Sequence, residues 1–369
     1  MGKYFNPGVD AFKKALNSEN YIDKTGLINY TNNILDTRKK NICVSSPDRF
    51  GKSTLVAMLA AYYSCGYDSG NLFSSLEIST YHYNRKFINQ YNTIVLNIND
   101  FWYQSSSIEN MIEILKSNVI WELNEKYPDC CGMYGSDFFA ILKDIYHKSK
   151  CPFVFIIDEW DCVYDKKVLS GGEENKYYEF LKECCNKEEF IHLTYLTGKI
   201  PLNTTKAIDS HVDNFSMAGI NPLASYIGFT EREVRKLCEK YKMNYKEIKE
   251  FYAGYPLLKE QNIYCPDSVI KCMLHGKIAS YWEAVEAVEL LRYITGRGDG
   301  YINKYFWSLA YGKSIPADVN VNADCVFSLK NESEILLFLV YKGLLAYNEA
   351  DKSVYIPNKE VRAYFLSVL

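Results

Sequence analysis

No two cysteines in this chain stand at Cys-x-x-Cys spacing, although there are 12 of them among 369 residues. Cys130–Cys131 and Cys184–Cys185 are adjacent, a poor spacing for a zinc site. No stretch reaches the roughly 18 apolar residues that a membrane helix requires, so no membrane span is expected. The start, Met1-Gly2-Lys3-Tyr4-Phe5-Asn6-Pro7, lacks the apolar run of a secretory signal, and Asn6 stands where a myristoylation site wants Ser or Thr. The cysteines are therefore expected to be buried thiols in a reducing cytoplasm. The five histidines are isolated, with no partner at ligand spacing. An excess of charge of one sign is missing too. Lys and Arg number 42 against 45 Asp and Glu, for a net charge of −3 and a pI of about 6.1. No global basic field draws this chain to nucleic acid, although Lys304, Lys313 and Lys330 could belong to a local patch.

What is present is the composition of a globular protein. At 48% hydrophobic residues the chain can build a sizeable core, and its length suits two or three units. Residues 1–40 read as an N-terminal helical segment. Asn41-Ile42-Cys43-Val44-Ser45 is a short apolar run, followed by turn residues and then an amphipathic helix over 53–63 with Leu55, Met58, Leu59 and Tyr62 on one face. Further strands are expected at 93–98, 153–157 and 191–196, with helices at 107–126, 136–148 and 175–185 between them. Ser136 and Asp137 suit the start of one of these helices. The run Phe153-Val154-Phe155-Ile156-Ile157 is apolar without alternation, as in a parallel strand covered on both faces. Strands alternating with helices indicate a doubly wound parallel α/β domain over 41–225. Beyond it, residues 226–285 read as a helical lid, with no strand signal over 229–252. Its first helix opens with the capping box Thr230…Glu233. Residues 286–369 close with helix, hairpin around 348–351 and helix, the order of a winged-helix-like unit.

The sharpest motif is Ser46-Pro47-Asp48-Arg49-Phe50-Gly51-Lys52-Ser53-Thr54. It is a Walker A loop, Gly-x-x-x-x-Gly-Lys-Ser/Thr, with Ser46 in place of the first glycine. Gly51 lets backbone amides close around phosphate oxygens at a helix N-terminus. Lys52 would reach the β- and γ-phosphates, and the Ser53 hydroxyl would ligate Mg²⁺. The second motif, Phe155-Ile156-Ile157-Asp158-Glu159, ends a buried strand in an acidic pair, as Walker B does. Asp158 would hold Mg²⁺ through water, and Glu159 would polarise the attacking water. Read alone, either motif has a bland alternative: Gly-Lys-Ser is common, and Asp158 could simply cap a helix. Together and in order, with a strand between them, they point to a P-loop ATPase that uses ATP and Mg²⁺. Thr197, at the end of the next strand, could sense the γ-phosphate or stand in a simple turn with Gly198 and Lys199. Asp161 could support the site or only cap a helix. Guanine-reading Asn-Lys-x-Asp does not occur, which favours ATP over GTP.

Tyr21-Ile22-Asp23-Lys24-Thr25-Gly26-Leu27-Ile28, the Ser46–Ser53 loop and Phe155-Ile156-Ile157-Asp158-Glu159-Trp160-Asp161 together resemble the bacterial AAA-ATPase-like family. That family is similar to the signal-transducing STAND branch of P-loop NTPases, and its members often carry a C-terminal PD-(D/E)XK nuclease domain. Its loop reads Arg-Pro-Arg-Arg-Phe-Gly-Lys-Ser. Pro47, Arg49, Phe50, Gly51, Lys52 and Ser53 match it, whereas Ser46 and Asp48 each replace an arginine. The resemblance continues through Phe251–Tyr255, Tyr264–Val269, Tyr281-Trp282 and Ile356–Arg362. From the loop, the helix start and the next strand end, Ser46, Arg49, Phe50, Gly51, Lys52, Ser53, Thr54 and Thr197 are expected to surround the nucleotide. Gly254-Tyr255-Pro256 resembles the Gly-x-Pro element with which STAND lids approach adenine, which assigns Pro256 to the base. No Asp…Glu-x-Lys strand context occurs in the last 80 residues, so nuclease activity is not expected of this chain. Three functions remain open: an ATP-hydrolysing switch with a protein partner or self-association, an ATP-regulated nucleic-acid-binding protein, and a degenerate NTPase scaffold.

Overall fold

The five apolar residues Phe153–Ile157 are all fully buried, as a strand sandwiched on both faces must be. They lie at the centre of one of two units into which the chain divides in the computed structural model. The structure describes residues 2–134, 137–164, 171–202, 212–259, 261–282, 300–317 and 331–368. Unit 1 comprises residues 1–44 and 52–214, and unit 2 comprises residues 45–51 and 215–369. The chain therefore changes unit within the phosphate-loop sequence, and again near 214 rather than at 225.

β1 (Asn41–Ser45), β2 (Asn92–Asn97), β3 (Phe153–Asp158), β4 (Ile191–Gly198) and β5 (Asp213–Phe215) form a sheet in the order β2-β3-β4-β1-β5. β3 runs parallel to β2 and to β4, with Asn97 opposite Asp158 and Leu196 opposite Ile157. The helices of unit 1 are α1 (Asp10–Leu16), α2 (Gly26–Ile34), α3 (Lys52–Tyr63), α4 (Gly70–Phe73), α5 (Ile98–Trp102), α6 (Ile108–Lys126), α7 (Pro128–Tyr134), α8 (Phe138–Ser149) and α9 (Gly171–Asn186). Parallel neighbours joined through helices make this an α/β P-loop fold. Asp137 caps α8 by accepting from the Ala140 amide; Ser136 lies outside the described residues.

Two expectations change here. The first residues are not helical throughout. Phe5 bridges Ile94 antiparallel, and the Glu122 carboxylate takes the amides of Lys3, Tyr4 and Phe5, so the N-terminus lies along β2. Nor is α3 amphipathic. Val56, Ala60, Ala61 and Tyr63 are buried as well as the predicted face, because β2, β3 and α1 all pack against it.

In unit 2, β6 (Phe229–Thr230), β7 (Tyr255–Leu258) and β8 (Gln261–Tyr264) form an antiparallel sheet in the order β6-β8-β7. With it come α10 (Glu231–Tyr241), α11 (Tyr245–Tyr252) and α12 (Pro266–His275). The segment read as a helical lid thus contains a sheet, whose strands are too short for a two-residue period to register. The capping box at Thr230 and Glu233 opens α10. Further on come the helix Gly300–Ala310, β9 (Ile315–Pro316), the helix Glu332–Tyr341, β10 (Ala346–Asn348), β11 (Ser353–Tyr355) and the helix Lys359–Val368. β10 and β11 form a hairpin in a sheet ordered β10-β11-β9. Residues 286–299 and 318–330 of the expected winged unit, Lys330 among them, lie outside the described residues, as do 283–285 of the expected lid.

Candidate nucleotide site

Asp158 ends β3 with its side chain buried at 3% exposure. A buried carboxylate needs polar partners, and this one has a hydroxyl on each oxygen. Ser53 Oγ donates to Oδ2 at 3.0 Å, and Thr197 Oγ1 donates to Oδ1 in a short hydrogen bond. The topology explains the second contact: β4 is the parallel neighbour of β3, so the polar residue at its C-terminal end arrives beside Asp158. Ser53 arrives from the first turn of α3, one residue after the buried Lys52. Residues 105 positions apart are thus joined where three elements end.

Glu159 follows directly and turns the chain out of β3 with φ +54°. A non-glycine residue there costs about 1 kcal/mol or more, and such strain collects at functional sites. Asp161 accepts the amides of Lys199 and Ile200 at 2.8 and 3.0 Å, and so holds the turn after β4. That turn also needs Gly198, because a Cβ there would stand 2.6 Å from Trp160 Nε1.

The remaining loop residues belong with unit 2. Arg49 and Gly51 have φ of +68° and +90°. Phe50 is buried, packs edge-to-face on Tyr255 at 5.4 Å, and its carbonyl accepts the Gly228 amide at 3.1 Å. Arg49 Nη1 pairs with Asp267 Oδ2 at 3.1 Å, and its carbonyl accepts from Cys265 Sγ at 3.9 Å. Asp48 is exposed and Ser46 is buried.

Among the described residues, no group of three His, Cys, Asp or Glu side chains could hold a metal by itself. The donor chemistry nevertheless suits one: the Ser53 hydroxyl and the Asp158 carboxylate, brought together by their hydrogen bond, are hard oxygen donors of the kind Mg²⁺ takes, directly or through water. Mg²⁺ also commonly binds through only one or two protein groups, taking its other ligands from water and substrate phosphates.

The family described as predicted AAA-ATPase matches residues 7–224, more than half of the chain. The chain belongs to the AAA-ATPase-like family. No curated protein matches it. Three solved structures are similar to it at low scores. A Walker-type ATPase of Pyrococcus abyssi has a TM-score of 0.45 and 10% identity, covering 93% of this chain and 94% of its own. The Aeropyrum pernix ORC2 protein, in ADPNP–ADP complexes, has a TM-score of 0.37 and 13% identity, covering 99% and 97%. The Aeropyrum pernix ORC1 protein in complex with DNA has a TM-score of 0.32 and 13% identity, covering 100% and 97%.

Within this AAA-ATPase-like chain, the structure joins Ser53, Asp158 and Thr197 by hydrogen bonds and places Glu159 next in the chain. Lys52 and the exposed Thr54 lie in the first turn of α3. Pro256 lies in β7 of unit 2, after a Gly254 pressed so close to Pro357 that a Cβ would stand 1.7 Å from its carbonyl oxygen. Gly254 is thus needed for packing, whatever Pro256 does. Sequence reasoning missed Asp267 as the partner of Arg49. The two are 218 positions apart, and no local pattern announces the pair. Among the described residues no helix is long and apolar enough to cross a membrane.

Proposed function

We propose that this chain binds ATP with Mg²⁺, hydrolyses it, and works as a STAND-like switch. The observation that carries the reading is Asp158 held between the hydroxyls of Ser53 and Thr197. Lys52 meets the β- and γ-phosphates, while the amides of the Ser46–Gly51 loop take phosphate oxygens. Ser53 and Asp158 hold the metal, which when bound neutralises charge developing on the phosphate oxygens. Glu159 orients the attacking water and draws its proton. Thr197 reads the state of Asp158 through their hydrogen bond, and Asp161 keeps Thr197 in place. Arg49 is paired to Asp267 within unit 2, so phosphate drawing on Arg49 competes with that ion pair. In this reading Pro256 approaches the adenine, the helix–hairpin–helix end of unit 2 is a winged-helix lever, and the output is a protein partner or self-association in the cytoplasm. Isothermal titration of the full chain with ATP and Mg²⁺, beside a phosphate-release assay, tests it. Saturable Mg²⁺-dependent binding with phosphate release is expected. Binding without release leaves only a nucleotide-binding scaffold, and no binding removes the reading.

A further inference from the structure

At the other end of α3, past its last turn, Cys65 enters a polar cluster of its own. Its amide bonds to the Tyr91 carbonyl at 2.8 Å, and its thiol donates to Asn92 Oδ1 at 3.3 Å. Asn6 Nδ2 donates to the sulfur at 3.4 Å, and Lys126 Nζ stands 3.8 Å from it. The same Asn92 donates through Nδ2 to the Cys151 carbonyl at 3.2 Å, so one side chain fastens both cysteine segments. Cys151 Sγ itself donates at 3.4 Å to the carbonyl of Gln90, the residue next to the Tyr91 that receives the Cys65 amide.

Access separates this pair from the other thiols. Of the eleven cysteines described, nine are buried and only Cys65 and Cys151 are half-exposed, which corrects the expectation of uniformly buried thiols. Cys65 also lines a cavity of about 310 Å³ with Asn6, Tyr67, Glu122, Glu125 and Lys126. Glu122 is already committed to three backbone amides, which leaves Lys126 as the cation facing the sulfur, with Glu125 at the rim and the Tyr67 and Tyr127 phenols nearby. The neighbouring Cys151 thiol, the Lys126 charge and the Asn6 amide outweigh burial and hold the Cys65 thiol down at about 6. Cys151 shifts the other way, raised by the neighbouring Cys65 thiol and by burial. A nucleophilic thiolate beside a cation, open to a cavity and next to a protonated second thiol, is the arrangement thiol oxidation requires.

We propose that Cys65 and Cys151 form a redox-active dithiol, with Cys65 attacking hydroperoxides and Cys151 resolving the product into a disulfide. In the first step the Cys65 thiolate attacks a peroxide oxygen. An S–O bond forms, the O–O bond breaks, and the departing alkoxide or hydroxide takes a proton. In the second step Cys151 gives up its proton and attacks the sulfenic sulfur. The S–S bond forms and the sulfenic oxygen leaves as water. Overall two thiols lose two hydrogens, and the hydroperoxide becomes an alcohol and water. The disulfide would tie the exit of α3 to the entry of β3. The proposal stands independently of nucleotide binding.

The test treats the reduced full chain with an equivalent of hydrogen peroxide and maps peptides without reduction. The expected main product is a Cys65–Cys151 cross-link that dithiothreitol reverses. Cys151→Ser should accumulate a sulfenic acid at Cys65, trapped by a cyclic 1,3-diketone, and Cys65→Ser should slow oxidation about tenfold or more. Should a variant fail to fold, the map of the unaltered chain decides alone. Cross-links involving other cysteines first, Cys325 included, or no Cys65–Cys151 link at all, would overturn the assignment.

Discussion

At one end of the packed pair α3 and β3 stand Ser53 and Asp158; at the other stand Cys65 and Cys151. Twelve residues of helix and six of strand set the ends about 18–20 Å apart. Both ends bring together residues far apart in sequence, and both surround a reactive group with hydrogen-bond partners. They differ in what positions them. The first lies at the C-terminal ends of parallel strands, where α/β sheets of this kind bind ligands, and each of its residues belongs to a short local motif. The second lies at the opposite edge and has no motif, only two cysteines, two asparagines and a lysine converging. The same two rigid elements can therefore carry one chemistry that local pattern reveals and another that it conceals.

The largest expected effect separates the ends in one experiment. Glu159→Gln should keep ATP binding and cut turnover by roughly 10²–10⁴, the range for a lost general base. Peroxide oxidation of Cys65 should proceed at its normal rate in that variant, and a shared loss would show that the ends do not act separately. Wild-type turnover in Glu159→Gln would remove Glu159 from the mechanism.

Lys52→Ala should weaken ATP binding by about 2–4 kcal/mol, or roughly thirty- to a thousandfold, the cost of removing one partner of a charge-assisted contact. Unchanged titration curves would end the P-loop assignment and leave the thiol end as the only chemistry at either end of the helix.

The thiol end has a pH signature. Because the Cys65 thiol is held at about 6, its thiolate fraction grows as pH rises through 6 and is nearly complete above 7. Alkylation by iodoacetamide, followed by mass mapping, should therefore level off near neutrality at Cys65. In Cys151→Ser, which replaces the neighbouring thiol, and in Lys126→Met, the plateau should move to higher pH, with rates at pH 6 reduced about tenfold. A plateau unmoved in both variants would show that neither group tunes the thiol.

The smallest effect concerns Asp48, which replaces an arginine of the family loop and is exposed. An outward carboxylate is screened by water and salt, so Asp48→Arg should change ATP affinity by less than about fivefold, and the change should fade as salt is added. A gain of a hundredfold would place Asp48 against the phosphates and favour the scaffold reading over the switch.

Local chemistry by itself determined much of this protein. The unbroken apolar run before Asp158 dictates a strand covered on both faces. Gly51-Lys52-Ser53 between strand and helix dictates a tight turn into a helix start, and Thr230 with Glu233 dictates a cap. These follow from interactions within a few residues, so they are legible without a fold. Tertiary structure alone decided the rest. It chose β4 as the neighbour of β3 and thereby set Thr197 on Asp158. It placed the loop tip with unit 2 through Arg49 and Asp267, enclosed α3 on nearly every side, and seated two distant cysteines against one asparagine. Each of these depends on which surfaces meet once apolar area is buried, and burial is non-directional. Sequence periodicity shows that a surface will be covered; the assembled fold decides by what.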